Sequence, residues 1–402
     1  MDLRRARLAR ITWAPARTLQ TGQRLRTRLT TRNPTNDEMG APVTERGEIL
    51  VTGARGLLAR ELMRRLRAEG RRVRGIDLPL DETDNDANIT GGNLLDAASC
   101  RDVCRGVTTV VHAAARQYHG APRFGRDAYF AVNVAMTRTL VDAAVKSGVR
   151  QLIYVSSDMV YGLPAGRPLR ESDEPRPIGP YGESKLASER ICASARASGM
   201  CVTILRPRMI IGAGRLGVLR PLFERVRRGA ALPMIGDGSN RYQMVAVADV
   251  AAACCEAMAR PIDGVFNLGS DDPPPIRELL AELARRAGSS SRLLPLPTRL
   301  SHAALRALNL VGLAPLAPEQ YRIAAVDYVL DTRLAREQLG WRPRFRDEEM
   351  LCAAYHAWAR AASTRRSATA DLVGAAPRSS ALTGEPLAPR TPAVSSASPE
   401  DG

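Results

Sequence analysis

The stretch Ile49-Leu50-Val51-Thr52-Gly53-Ala54-Arg55-Gly56-Leu57-Leu58-Ala59 runs without a break from an apolar strand, through a glycine turn, into a helical repeat of leucines. Gly53 permits the tight turn, Gly56 lets backbone N–H groups approach a pyrophosphate, and the helix that begins at Leu57 offers its positive dipole end to the same anion. The flanking strand and helix give the two glycines their weight. The next apolar run, Val73-Arg74-Gly75-Ile76-Asp77, ends in an acid 24 residues after Gly53. From there a carboxylate accepts hydrogen bonds from the ribose hydroxyls of an adenine dinucleotide. Asp77 would repel a 2′-phosphate and favours NAD. Arg55, inside the loop, can reach such a phosphate and keeps NADP open.

Working outward, short β-branched runs alternate with longer helical patterns, which predicts an α/β fold with a doubly wound parallel sheet of Rossmann type. The spacing places strands at 48–52, 72–77, 109–113, 151–155 and 201–205, and helices near 56–69, 124–147 and 181–198. These give a dinucleotide-binding domain over 47–205 and a smaller, mainly substrate-binding portion over 206–361 that returns elements to it and closes with a helix at 347–361. Gly92-Asn93-Leu94 offers the Asn93 amide to an adenine. Ala113 and Ala114 follow Val110-Val111-His112, and small residues there let a cofactor lie close. His112 reads as a packed strand-end histidine.

The formal net charge of +16 is unevenly spread, because residues 1–36 hold nine arginines against the single acid Asp2. Half the excess therefore lies in residues 1–36, most of a basic leader, 1–46, without apolar periodicity. It reads as disordered, with Met39 as an alternative start, and the charge does not call for a nucleic-acid partner. Residues 362–402, rich in Ala, Ser, Thr and Pro, read as a disordered tail. No apolar run approaches the roughly 20 residues of a membrane span, so a cytoplasmic enzyme is expected. The seven cysteines are scattered, none joins His or Cys at zinc-ligand spacing, and no metal is expected.

Ser156-Ser157-Asp158 follows the fourth strand, and Pro180-Tyr181-Gly182-Glu183-Ser184-Lys185 opens a helix. Tyr181 and Lys185, four apart, share one face, so the ammonium is expected to lower the phenol pKa from about 10 toward the working range. Ser157 would hold a substrate oxygen while Tyr181 takes its proton.

In this order the motifs resemble the extended short-chain dehydrogenase family of NAD-dependent epimerases and dehydratases. The resemblance covers residues 47–361 and includes the glycine loop, Asp77, Asn133-Val134, Ser157, Tyr181 with Lys185, Leu205-Arg206-Pro207, Gly236-Asp237-Gly238, Asp249, Asn267-Leu268-Gly269 and Leu339-Gly340-Trp341-Arg342-Pro343. It implies a tightly bound nicotinamide cofactor touched by Tyr181, Lys185 (on the ribose) and Pro207. It also implies a homodimer through the helices at 124–147 and 181–198. Two departures narrow the activity. Sugar-nucleotide dehydratases carry a glutamate where Met159 stands, so dehydration is not expected, and many epimerases carry an asparagine at Met209. Gly236 to Arg241 resembles the segment that places an arginine on substrate phosphates, with Arg215 and Arg220 nearby. The resemblance thus implies a nucleotide-activated sugar held by Ser157, Met209, Arg215 and Arg241. The alternatives are an apolar steroid or flavonol substrate, or a non-catalytic cofactor sensor.

Overall fold

In the computed structural model the described residues are 47–79, 86–117, 125–214, 217, 219–314 and 316–374. The leader, the chain end beyond 374, Arg215, Leu216 and Val218 lie outside them. Five buried runs form the middle of a parallel sheet: β1 (Glu48–Thr52), β2 (Val73–Asp77), β4 (Val107–His112), β5 (Gln151–Val155) and β6 (Cys201–Pro207). The short β3 (Ile89–Gly91) and β10 (Gly264–Leu268) add its edges, giving the order β10-β6-β5-β4-β1-β2-β3. Every pairing in it is parallel. Strands covered on both faces read as near-continuous apolar runs, and all five residues of β5, Gln151 included, are buried.

The chain runs outward from β1 to β3, then crosses back to β4 on the other side of β1. That reversal opens a crevice at the carboxyl ends of β1 and β4, where open parallel sheets bind ligands. Helices cover both faces. On one, α1 (Leu57–Ala68) buries Leu58, Leu62, Met63 and Leu66, at helical spacing, against Val250, Cys254 and Ala257 of α7 (Val247–Ala259). On the other lie α2 (Ala97–Cys104), α4 (Ala135–Lys146) and Cys192 of α5 (Pro180–Ser194). Helix α3 (Arg126–Tyr129) runs into α4 through a π-helical stretch, Phe130–Val134. Such bulges re-aim side chains, and here Asn133 is buried.

Beyond β6 a second core gathers β7 (Met209–Ile211), α6 (Leu219–Arg227), β8 (Leu232–Ile235), β9 (Met244–Ala246), α8 (Ile276–Arg286), β11 (Leu293–Leu296) and α11 (Asp347–Gly374). Helices α9 (Thr298–Leu310) and α10 (Pro318–Ile323) complete this portion. Helix α11 continues to Gly374, past the 361 expected from sequence. Its continuation is rich in Ala and Arg, good helix formers. The seven cysteines are free thiols, five of them buried. Burial pushes Cys100 up to about 11 and Cys104 up to about 12. Among the described residues no helix is long and apolar enough to cross a membrane.

Trp341 pins the C-terminal segment to the sheet: its ring lies in the core beside α7, and its indole N–H donates to the Asp249 carbonyl at 2.8 Å. Trp341→Ala is expected to lower unfolding free energy by about 3–5 kcal/mol, and Trp341→Phe by less, as measured by urea denaturation.

Candidate active site

The candidate residues collect at the carboxyl edge of the sheet: Gly53, Asp77, Ala113 and Ser157 stand at or just past strand ends, and helix α5 brings Tyr181 and Lys185 to the end of β5. Gly53 follows β1 with φ +67°, and a Cβ there would stand 2.8 Å from the Ala114 Cα. The two turns are thus pressed together, and the Ala114 N–H donates to Thr52 Oγ1 at 3.1 Å. Helix α1 begins with Gly56 as its cap, with no side-chain cap bond and no acid in its first turn. The first-turn amides, Leu57 among them, are therefore left for an external acceptor. Asp77 closes β2 and accepts from the Arg55 N–H at 2.8 Å and from the Leu78 N–H at 2.8 Å. One carboxylate fixes the glycine loop against the end of β2. The Arg55 guanidinium donates to the Leu78 carbonyl at 3.2 Å, at the same corner. Asn93 is exposed, and its Oδ1 accepts from the Leu95 N–H at 3.0 Å in a local turn.

Behind the crevice His112 is buried between Thr52 and Thr137, at 2.7 and 3.0 Å. Burial, with the neighbouring Lys185 charge, pulls its pKa down to about 3, so the ring is a neutral structural link. Asn133 accepts from the Arg116 N–H at 2.7 Å and donates to Ser184 Oγ at 3.0 Å, joining the β4 loop to α5.

Ser157 ends the turn after β5, and Gly179-Pro180 starts α5, which carries Tyr181 and Lys185 back beneath it. Lys185 Nζ donates to the Val155 carbonyl at 2.6 Å and sits 4.3 Å from the centre of the Tyr154 ring. Burial pulls the ammonium down to about 8. The Tyr181 ring meets Tyr129 edge to face at 6.1 Å between centroids. Its phenol is raised above the ordinary value by enclosure first, then by the Asp158 and Glu319 charges, while hydrogen bonding from Gln117 and Ser157 works the other way. The expected lowering by Lys185 is therefore corrected. The ammonium is held on a backbone carbonyl, and low dielectric around the ring favours the neutral phenol.

Two buried ion pairs underlie the site. Arg206 binds Glu189 through two hydrogen bonds of 2.9 and 2.7 Å, and Ser156 Oγ donates to the same carboxylate at 2.5 Å. Arg208 Nη1 donates to Asp158 Oδ2 at 2.7 Å, with its guanidinium stacked between the Tyr242 and Tyr328 rings at 4.0 and 4.1 Å. Burial raises the Asp158 carboxyl, against the pull of Arg208.

The substrate-side expectations divide. Met209 lies in β7 opposite Met244, half-buried against the second core. Arg241 turns away from the Ser157 turn. Its neighbour Tyr242 stacks on Arg208 beneath that turn, while the Arg241 guanidinium donates to the Pro273 carbonyl at 3.3 Å in a separate cavity of about 620 Å³ bordered by Asp327 and Asp331. Arg220 pairs with Glu224 on an exposed helix face. Sequence reading missed Asp158, Glu189, Arg208 and Glu319. Glu189 was detectable, because Tyr181, Lys185 and Glu189 recur every fourth residue on one helix face.

A model of the NAD dependent epimerase/dehydratase family matches residues 49–269. The chain belongs to that family. It is 33% identical over 309 residues (76% of this chain, 77% of the relative) to the uncharacterized protein y4nG of Sinorhizobium fredii. It is 30% identical over 280 residues (64% and 78%) to a UDP-glucose 4-epimerase of Streptomyces lividans. A 3 beta-hydroxysteroid dehydrogenase/Delta 5→4-isomerase of Mycobacterium tuberculosis is 31% identical over 210 residues, 49% of this chain and 56% of that one. Among solved structures, MoeE5 in complex with UDP-glucose and NAD superposes with a TM-score of 0.64, at 27% identity over 80% of this chain and 100% of the other.

Glu189→Ala leaves Arg206 charged and buried without its partner. The expected loss is about 3–5 kcal/mol of folding free energy, read by urea unfolding; a loss under about 1 kcal/mol would contradict a dry, desolvated pair.

Proposed function

We propose that the chain is an NAD-dependent epimerase or ketoreductase acting on a nucleotide-activated sugar, by hydride transfer at a carbinol carbon. The carrying observation is that Tyr181 and Ser157 stand together at the end of β5, with Lys185 anchored beside them on Val155 and the glycine loop one strand beyond β4. The loop fits a dinucleotide: the approach of Gly53 to Ala114 leaves no room for a side chain, and the uncapped start of α1 faces the crevice. Gly53, Arg55, Gly56 and Leu57 would hold the pyrophosphate, Asp77 the adenosine ribose, Asn93 the adenine, and Ala113, Ala114, Pro207, Tyr181 and Lys185 the remainder. When bound, the nicotinamide supplies the two-electron acceptor or donor.

The chain's own residues handle the proton. Ser157 donates to Asp158 Oδ1 at 3.0 Å in this structure, and the same hydroxyl, turned to a substrate, would donate to the ketone oxygen. Tyr181, kept neutral by its surroundings, is a proton donor to a ketone. In the reverse direction it must lose that proton, and the Lys185 ammonium then stabilises the phenolate. Position 159, after Ser157 and Asp158, carries methionine and no second carboxyl, which supports epimerisation or reduction over elimination. Support for the substrate class comes from the likeness to MoeE5, whose structure holds UDP-glucose and NAD, and to the S. lividans epimerase. A cytoplasmic homodimer built on α4 and α5 is part of the same reading. A second reading, a hydroxysteroid-type dehydrogenase, is favoured by the outward turn of Arg241 and the apolar packing of Met209.

Tyr181→Phe is expected to cut turnover roughly 100-fold or more while leaving NAD affinity nearly unchanged, and Lys185→Ala to reduce both; rates and calorimetric affinities decide this. Retention of more than about a tenth of the activity in Tyr181→Phe contradicts the assignment. NAD should bind more tightly than NADP, and Asp77→Ala should narrow or reverse that difference, with an unchanged ratio removing Asp77 from the ribose.

A further inference from the structure

Helix α10 brings one more carboxyl to the proton-transfer site. Glu319 is 5% exposed, and its Oε2 is buried with no hydrogen-bond partner among the described residues. It lies directly on the turn that opens the helix of Tyr181: a methyl group added to Gly179 would collide with Glu319 Oε2. Its charge reaches the Tyr181 phenol. The two other acids near it have cations of their own, Glu183 with Arg126 at 2.6 Å and Asp158 with Arg208 at 2.7 Å. No salt bridge joins Glu319 to a cation among the described residues, and burial, with the repulsion of Glu183 and Asp158, pushes its pKa up to about 7.

A buried carboxyl oxygen without a donor, as at Glu319 Oε2, weakens the fold, because its desolvation is uncompensated. Its place beside the reacting groups indicates that the donor arrives with the ligand. An apolar ring system would seal the carboxyl away still unpaired, whereas a sugar ring carries hydroxyl donors on every side. A ligand carboxylate would be repelled.

We propose that Glu319 is a substrate-binding residue whose carboxylate accepts a hydrogen bond from a hydroxyl of a neutral sugar ring presented to Tyr181. This rests on the nucleotide-sugar reading and narrows it to uncharged sugars.

The test is calorimetric binding to the NAD-loaded protein of UDP-glucose and dTDP-glucose, each beside the bare diphosphate, UDP or dTDP, for wild type, Glu319→Leu and Glu319→Gln. Expected is a loss of about tenfold or more for the sugar nucleotide in Glu319→Leu, with the bare diphosphate unaffected, since hydrogen bonds to charged groups are worth about that. Glu319→Gln, nearly the same shape with a neutral acceptor, should lose a smaller factor of at least about threefold, and it carries the test if thermal melting shows Glu319→Leu unfolded. Unchanged sugar-nucleotide affinity in the folded variants overturns the proposal, as does an equal loss for the bare diphosphate. If wild type binds NAD but neither sugar nucleotide, the nucleotide-sugar reading itself fails and this inference with it.

Discussion

The Lys185 ammonium on the Val155 carbonyl ties the helix of the candidate proton-transfer residues to the strand edge where the crevice opens. Strand β5 is central and buried along its length, so its end is a rigid reference point. Lys185 lies one helical turn from Tyr181, and fixing the first fixes the phenol beside Ser157. The interaction is costly, because an ammonium is taken out of water, and its lowered pKa records that cost. Such an arrangement persists where the surrounding core over-determines it, and here Cys192 packs the far end of the same helix into the sheet.

The polar face of α5 extends this logic. Lys185, Ser188 and Glu189 are buried where a structural helix would present leucines. Glu189 anchors Arg206, which stacks on Tyr161, whose hydroxyl donates to Asn267 at 2.7 Å. Among the described residues, Glu189 and Asp158 are matched with arginines beneath the crevice, and of the acids around Tyr181 Glu319 is left unmatched. A site organised in this way is stiff below and chemically open above.

Much of this was legible in the sequence because its signals are local. A strand that breaks at Gly53 and a helix that starts at Leu57 declare the loop, and the four-residue step from Tyr181 to Lys185 declares a shared face. What stayed hidden depends on distant pairing. The edge strand β10 joins β6 across 61 residues at Gly264 and Thr203, and its short apolar run resembles many buried segments. Arg208 finds Asp158 across 50 residues, and Glu319 reaches the Gly179 turn only because α10 folds back over it. The outward turn of Arg241 was hidden for another reason: its side follows from the bridges that Arg241 makes to Pro275 and Tyr242 to Tyr328, which a motif match does not fix. The electrostatic expectation for Tyr181 ran the wrong way because sequence spacing shows the ammonium but not the enclosure.

The central claim is that the turn between β1 and α1, closed by Ala114, holds a nicotinamide dinucleotide against Lys185. Native mass spectrometry of the full chain, titrated with NAD, tests it most directly. One NAD per chain, weakened in Lys185→Ala and lost in a folded Gly53→Val, is the result the account predicts. Failure of wild type to take up NAD or NADP, or undiminished uptake by Gly53→Val, would contradict it.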